Sequence, residues 1–369
     1  MGFQASNRLG ARPMRPNRSE GLSRVVGEPV GVQGAAEGPA VSERESTVLV
    51  LGASGFLGSH VVKALLAEGR KVRTFVRPTS DTSAIDHLDT ERYLGDVRDI
   101  ESIRAAMEGC GVVYYCVVDT RAWLKDPAPL YETNVDALRD ILELALDSQV
   151  RRFVFTSSFT TIGVNPHGVA SEADAFNWWD QASDYARVRV RAEELFLSYC
   201  KRGLPGVVCN PSYTYGTGDL RPTPQGWMIK MVVEGKMPCY WAVNMPAVGI
   251  LDAARAMLLA EARGRVGERY LITERTLSLE ELYNTAAEAV GRRPIRLGMP
   301  MPIMLLACKI IERTAWLLGQ ETVITQKSLR LMKIPQDFDN EKARVELGWN
   351  PHPVAESVRD GARWFRDHR

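Results

Sequence analysis

Short apolar runs rich in β-branched residues alternate with amphipathic stretches from residue 47 to about residue 215. Apolar runs of this length predict buried strands, and they lie at 47–51, 71–77, 111–118, 151–158 and 205–211. Helical spacing of apolar residues follows from Leu57 to Ala67 and recurs at 99–108, 130–148 and 184–202. Strands and helices that alternate in this way predict an α/β fold with a Rossmann-type, doubly wound parallel sheet.

The pattern changes on both sides of this region. Residues 1–45 are rich in Gly, Pro, Arg and Ser and lack a hydrophobic period, which predicts a disordered leader. After about residue 216, Pro, Met and Trp interrupt the alternation. We therefore expect a Rossmann domain over 46–215 and a smaller mixed α/β substrate-binding domain over 216–369. Part of 245–262 is expected to return to the Rossmann domain.

The most apolar stretch is "MPIMLLACKIIERTAWLLG" at 301–319, which Lys309, Glu312 and Arg313 interrupt. A membrane span needs about 20 predominantly apolar residues, so no integral membrane segment is predicted. A partly buried amphipathic helix of the second domain is favoured. The alternative is a lid over an apolar substrate, or a segment that rests on a membrane surface.

Composition narrows the classes of function. Hydrophobic residues make up 45% of the chain, charged residues 25%, and the net charge is +1, which gives no reason to expect a nucleic-acid partner. The six cysteines include no C-x-x-C pair, and the five histidines form no H-E-x-x-H motif. These patterns argue against a disulfide framework and a metal site, and they predict a reducing, cytoplasmic location.

Three glycines follow the first predicted strand in "GASGFLG" and open the first helix. Backbone N–H groups at a helix N-terminus bind pyrophosphate, and side chains would block its approach. The order strand, glycine loop, helix, strand therefore predicts a dinucleotide site. Its predicted contacts are Gly52, Ser54, Gly55, Phe56, Leu57 and Gly58.

The tip of the second strand bears on the choice of cofactor. Val76 and Arg77 stand where an acidic residue would bind a ribose 2′-hydroxyl. The planar fork of an arginine suits a 2′-phosphate, so NADP(H) is favoured and NAD(H) stays possible. The alternative is an exposed Arg77 that pairs with a carboxylate such as Asp81.

Motifs along the chain resemble, in the same order, those of the extended short-chain dehydrogenase/reductases. The likeness within that family is to dihydroflavonol reductase-like, 3β-hydroxysteroid dehydrogenase-like and hopanoid-associated sugar epimerase-like members. Beyond the glycine loop, the motifs are GDVRD (95–99), CVVDT (116–120), TNVDAL (133–138), FTSS (155–158), NPSYTYGTGD (210–219) and KARVELGW (342–349).

The resemblance implies roles for individual residues. Tyr185 is expected to be the acid/base, and Ser158 to hold the substrate oxygen. The family has a lysine four residues after the tyrosine, where this chain has Arg189. The remaining cofactor contacts implied by the motifs are Asp96 and Val97 at the adenine, Cys116, Val117 and Val118 beside the nicotinamide ribose, and Asn210 and Pro211 over the nicotinamide.

The substitution at Arg189 leaves three interpretations. A phenol is a weak base at neutral pH unless a nearby positive charge favours phenolate. We expect Arg189 to supply that charge and to hold the ribose in place of lysine. It could also activate the tyrosine less well and so favour reduction, or mark a protein that binds cofactor without turnover.

The substrate side is aromatic, which suits a large ring system. The predicted contacts are Asp119, Trp123, Ser158, Trp178, Tyr213 and Trp227. Together with the cofactor site and the catalytic roles that the resemblance implies, these contacts predict an NADP(H)-dependent oxidoreductase. It would interconvert a ketone and a secondary alcohol on a bulky apolar ring. A nucleotide-sugar epimerase or dehydratase and a non-catalytic NADP-sensing protein are the alternatives. The resemblance also implies a homodimer formed through helices near 134–148 and 185–201.

Overall fold

A parallel sheet of seven strands lies at the centre of the protein, whose computed structural model describes residues 46–121, 124, 126–317 and 337–368. The leader predicted at 1–45 lies outside the described residues. The strands are β1 (Thr47–Leu51), β2 (Val72–Val76), β3 (Glu91–Leu94), β4 (Cys110–Tyr115), β5 (Arg152–Thr156), β6 (Gly206–Pro211), β7 (Tyr213–Tyr215), β8 (Tyr240–Trp241), β9 (Asn244–Gly249), β10 (Arg269–Ile272), β11 (Arg275–Ser278) and β12 (Gly298–Met299).

The helices cover both faces of this sheet and build the second half of the chain. They are α1 (Phe56–Ala67), α2 (Ile100–Met107), α3 (Ala128–Tyr131), α4 (Ala137–Asp147), α5 (Asp184–Lys201), α6 (Pro224–Glu234), α7 (Ile250–Arg263), α8 (Leu279–Ala289), α9 (Met301–Leu317), α10 (Glu341–Leu347) and α11 (Val354–Asp367). A π-helical turn, Glu132–Asp136, joins α3 to α4, and a 3₁₀ turn, Phe159–Thr161, follows β5.

The strand order of the central sheet is β10-β6-β5-β4-β1-β2-β3, and all neighbouring strands are parallel. The chain builds outward from β1 to β2 and β3, then returns to β4 on the other side of β1. Such a reversal leaves a crevice at the carboxyl ends of the strands, where open α/β sheets bind their ligands. The predicted doubly wound parallel sheet is confirmed.

Two apolar clusters explain why the strands read as continuous hydrophobic runs. One face of the sheet buries side chains of α2, α4 and α5. The other face buries side chains of α1, α7 and α10. A strand that is covered on both faces has no solvent side to alternate with, so nearly every residue in it is apolar.

Two strands of the sheet were not predicted. β3 has the sequence Glu-Arg-Tyr-Leu, lies at the edge and is largely exposed, so it lacks an apolar pattern. β10 follows α7 and joins the opposite edge beside β6. The strand predicted at 111–118 ends earlier, at Tyr115.

The second half of the chain forms a third apolar cluster from α6, α8 and α11 and the small sheet β11-β9-β7. In this half of the chain, α7 packs against the central sheet instead of joining the third cluster. The domain boundary near residue 216 stays a prediction. None of the described helices is long and apolar enough to cross a membrane.

Candidate active site

The glycine loop leaves a cradle between β1 and α1 that only a side-chain-free backbone can form. Gly52 has φ +79°, and a Cβ atom there would lie 2.8 Å from the Cys116 carbonyl carbon. A Cβ atom at Gly58 would lie 2.2 Å from the Gly52 carbonyl oxygen, so α1 presses directly on the turn. Gly55 is the N-cap residue, and no side chain caps the first N–H groups of α1. These groups fit the pyrophosphate of a nicotinamide dinucleotide.

Gly58→Ala is expected to lower the melting temperature and to weaken NADPH binding at least tenfold. The added methyl group must push α1 away from the Gly52 carbonyl, at a cost of about 1–3 kcal/mol for an overpacked contact. Thermal unfolding and a fluorescence titration with NADPH would measure both effects. Gly168→Ala is the matched control, because nothing lies within 4 Å of a Cβ atom there. Equal NADPH affinity in the two variants would contradict the predicted cradle.

The adenosine side of the crevice contains Arg77, which is exposed and directly follows β2. No ion pair among the described residues includes Arg77; Asp81 pairs instead with Arg221, at 3.7 Å. Asp96 accepts two hydrogen bonds of 2.9 Å from the Arg98 guanidinium. These bonds, with smaller effects from the Arg98 N–H and the Arg77 charge, lower the pKa of Asp96 to about 2. Asp96 is therefore an anionic acceptor at neutral pH, as an adenine contact requires.

The segment after β4, where Cys116, Val117 and Val118 lie, is held by a residue that sequence reasoning did not single out. Asn134 lies in the π-helical turn, accepts a hydrogen bond of 3.0 Å from the Asp119 N–H and donates one of 3.3 Å to the Asp119 carbonyl. Burial raises the pKa of the Cys116 thiol to about 12, so it is no nucleophile. The "TNVDAL" motif was a signal for Asn134, but its partner was not visible in the sequence.

Ser158 lies two residues after β5, and its hydroxyl hydrogen has no acceptor among the described residues. Its Oγ caps the 3₁₀ turn and accepts hydrogen bonds from the Thr160 N–H, at 3.2 Å, and from the Thr160 hydroxyl, at 2.9 Å. Since both acceptor positions of the oxygen are used, the remaining function of the group is to donate. That geometry suits a substrate carbonyl or alkoxide oxygen.

Tyr185 lies in the first turn of α5, after the N-cap residue Ser183. Its hydroxyl makes no hydrogen bond within the described part of the chain, and the ring is only half-buried. It lies close enough to Tyr213 to interact with it electrostatically, and burial raises the pKa of Tyr213. The Tyr213 ring contacts Phe159, the residue after Ser158, at 4.8 Å between ring centres. The structure therefore brings the tyrosine and the serine segments to one place.

Arg189 is the inward-facing arginine of α5 and is only 2% exposed. One of its Nη atoms donates a 2.5 Å hydrogen bond to the carbonyl of Thr156, two residues before Ser158. Arg187 instead bonds the Trp179 carbonyl, and Arg191 pairs with Glu194. Arg189 thus occupies the register that the resemblance assigned to a lysine.

The buried positive charge of Arg189 has no counter-charge among the described residues. No ion pair among the residues described includes it, and its Nε is buried without a hydrogen-bond partner. The nearby Tyr115 hydroxyl is also buried and unpaired; burial raises its pKa and the Arg189 charge lowers it in part. Buried donors are normally satisfied, so these groups fit the polar ribose of a bound nucleotide.

Asn210 is buried next to Ser158 and is not exposed to solvent. Its Nδ2 donates to the Ser158 carbonyl at 3.1 Å and to a carboxylate oxygen of Glu193 at 2.6 Å. Glu193 is buried and forms a 3.0 Å ion pair with Arg269 of β10. Sequence reasoning missed this support; the signal available was an acidic residue eight positions after Tyr185, on the apolar side of α5. Pro211 ends β6 beside Asn210.

The predicted aromatic walls lie in different settings. Trp178 is buried, and its Nε1 donates a 3.2 Å hydrogen bond to the Ile162 carbonyl, which leaves little surface for a ligand. Trp227 is 42% exposed on α6. Trp123 lies outside the described residues. Phe338 was not predicted, and its ring centre lies 5.6 Å from that of Phe159. The substrate contacts stay predictions.

The chain also resembles known proteins in sequence and in structure. Residues 48–273 match the NAD dependent epimerase/dehydratase family. The chain belongs to this family. The resemblance to the extended short-chain dehydrogenase/reductases, read from the motifs, is confirmed. The protein is thus an NAD(P)-dependent oxidoreductase of the extended short-chain type, and the family cofactor is a nicotinamide dinucleotide.

Relatives within the extended short-chain family cover most of the chain. Sterol demethylase protein B of Methylococcus capsulatus is 33% identical over 87% of this chain and 98% of its own. A 4-hydroxy-2-methyl-3-oxo-4-farnesyl-3,4-dihydroquinoline-1-oxide ketoreductase of Stigmatella aurantiaca is 27% identical over 81% of this chain and 90% of its own. The crystal structure of gox2253 superposes with a TM-score of 0.77 and 31% identity, over 88% of this chain and 99% of that one.

Proposed function

We propose that this extended short-chain enzyme uses NADP(H) to interconvert a ketone and a secondary alcohol on a bulky, mostly apolar ring substrate. The observation that carries the proposal is the constellation at the end of β5. There Ser158 has a hydroxyl hydrogen to donate, Tyr185 has a hydroxyl without a protein partner, and Arg189 has a buried positive charge.

Tyr185, Ser158 and Arg189 have different chemical roles in the proposed reaction. A bound nicotinamide supplies or accepts the hydride. Tyr185 gives a proton to the substrate oxygen in reduction, or removes one in oxidation. Ser158 donates a hydrogen bond to the same oxygen and so holds it beside the phenol. Arg189 carries a permanent charge, which stabilises negative charge that develops on the oxygen.

Two relatives support the substrate class. One is named for sterol demethylation and the other is a ketoreductase whose substrate carries a farnesyl chain on a fused ring. Aromatic residues near Ser158, among them Phe159 and Tyr213, offer flat apolar surface that suits such rings.

The cofactor preference is tested by Arg77→Ala, which is expected to weaken NADPH binding about tenfold to a hundredfold and to leave NADH binding unchanged. The lost interaction is a charge-assisted hydrogen bond to the 2′-phosphate, worth about 1.5–3 kcal/mol. Fluorescence titrations with both cofactors measure the change. Arg363→Ala removes an exposed arginine from α11 and serves as the control. An equal loss of affinity for NADPH and NADH would overturn the NADP(H) assignment.

The reaction itself is tested by NADPH oxidation over a panel of steroid, flavonoid and small cyclic ketones. Turnover on a ring ketone supports the proposal, and the panel then defines the ring size. NADPH binding without oxidation of any ketone would favour the epimerase alternative, which the family also contains. In that case cofactor that stays bound through purification would be the next observation to seek.

The setting of the enzyme completes the proposal. We infer a homodimer through α4 and α5 and a reducing, cytoplasmic location. All six cysteines are free thiols, which supports a reducing compartment. Size-exclusion chromatography with light scattering would test the dimer.

A further inference from the structure

Helix α9 presents an apolar stripe to solvent. Ile303, Leu306 and Ile310 are 53%, 61% and 58% exposed. Residues spaced by three and four positions lie along one face of a helix, so these side chains form a continuous row. Cys308, on the opposite side, is buried against the protein. The helix therefore presents large apolar side chains to solvent, where an ordinary surface helix has polar ones.

The row lies in a locally basic part of the described chain. From residue 291 to 317 the basic residues are Arg292, Arg293, Arg296, Lys309 and Arg313, and the only acidic residue is Glu312. All five basic residues are exposed. The whole chain carries 46 basic and 45 acidic residues, so this segregation is local. Lys309 and Arg313 border the apolar row, where long side chains can reach a charged surface while the row is buried.

We propose that α9 is a docking surface for an anionic lipid bilayer, on which it lies parallel to the membrane plane. Ile303, Leu306 and Ile310 would enter the boundary between headgroups and acyl chains, and exposed basic side chains of residues 291–317 would contact anionic headgroups.

Charge favours a bilayer over a second copy of this chain. A two-fold contact through α9 would place the same basic residues of both copies close together, and like charges oppose such a contact. An anionic lipid surface instead complements them. The inference rests on α9 alone and does not depend on the proposed substrate.

The test is sedimentation of the full-length protein with sucrose-loaded vesicles of phosphatidylcholine, alone or mixed with phosphatidylglycerol. We expect binding to the mixed vesicles that weakens as salt is raised. The triple variant Ile303→Gln/Leu306→Gln/Ile310→Gln is expected to reduce binding at least about tenfold, because three large side chains no longer leave water. Arg293→Glu/Arg296→Glu is expected to abolish the preference for phosphatidylglycerol.

Exposed aliphatic residues outside α9 provide a matched control for the triple variant. Leu251, Val266 and Val345 are 66%, 53% and 72% exposed, and their triple replacement by Gln should leave vesicle binding unchanged. NADPH affinity and the melting temperature report on folding in every variant. Absence of wild-type binding to mixed vesicles, or equal binding by both triple variants, would overturn the proposal. The proposal would also be overturned if the triple variant of α9 became a monomer while the control variant stayed a dimer, since α9 would then join two copies of the chain.

Discussion

Tyr185→Phe is expected to lower kcat for ketone reduction by about a hundredfold to ten-thousandfold and to leave NADPH affinity unchanged. The phenylalanine keeps the ring but removes the hydroxyl that we propose gives a proton to the substrate oxygen. The Tyr185 hydroxyl makes no hydrogen bond in the described structure, so its loss leaves no buried group unpaired. The melting temperature should therefore stay within a degree or two of the wild type. Steady-state NADPH oxidation, NADPH titration and thermal unfolding separate these effects.

Tyr215→Phe provides the control for this prediction. Tyr215 lies on β7, two residues from Tyr213, and its buried hydroxyl has no hydrogen-bond partner among the residues described. Removal of that hydroxyl should not reduce turnover. If the two variants retained equal activity, Tyr185 would not be the acid/base, and a proton donor outside this constellation would have to be sought.

Arg189→Met is expected to lower turnover without lowering the unfolding temperature, whereas most core substitutions destabilise the fold. Arg189 is buried, has no carboxylate partner in the described chain, and contains an unpaired Nε. A buried charge without a partner destabilises a fold, so the methionine variant should unfold at the same temperature as the wild type or higher. Its turnover should fall by about a hundredfold, since negative charge that develops on the substrate oxygen loses the stabilising charge that we propose Arg189 supplies. Thermal unfolding without cofactor and steady-state kinetics measure the two quantities.

Two further variants make the Arg189 test specific. Arg191→Met removes the arginine two positions away, which faces outward and pairs with Glu194, and it should affect neither property. Arg189→Lys restores the charge with a different shape, and should recover a large part of the activity if charge is the requirement. A marked loss of stability in Arg189→Met, with activity falling only in proportion, would mean that the residue is structural.

Local pattern alone was enough to predict much of the fold, and it placed the candidate catalytic residues on their elements. β1 was predicted at its observed bounds, and the glycine loop was placed correctly because turn, cradle and helix start lie within seven residues. Tyr185 and Arg189 were assigned to one helix face by their spacing of four. These features depend on neighbours in the chain, whose geometry follows from the periods of helices and strands.

Contacts between distant segments decided the rest. β3 is a strand because β2 pairs with its backbone, although its sequence Glu-Arg-Tyr-Leu has no apolar pattern. Tyr270, Leu271 and Ile272 of β10 are apolar and buried, but only the pairing with β6 places them in the central sheet. The support of Ser158 by Asn210, Glu193 and Arg269 joins three elements that lie far apart in sequence. The sequence by itself determined the strand–helix alternation, the glycine loop and the identity of the acid/base candidate. Only the tertiary structure decided that Arg189 is buried without a counter-charge and that α9 turns its apolar row to solvent, because burial and pairing depend on what the rest of the chain places beside a residue.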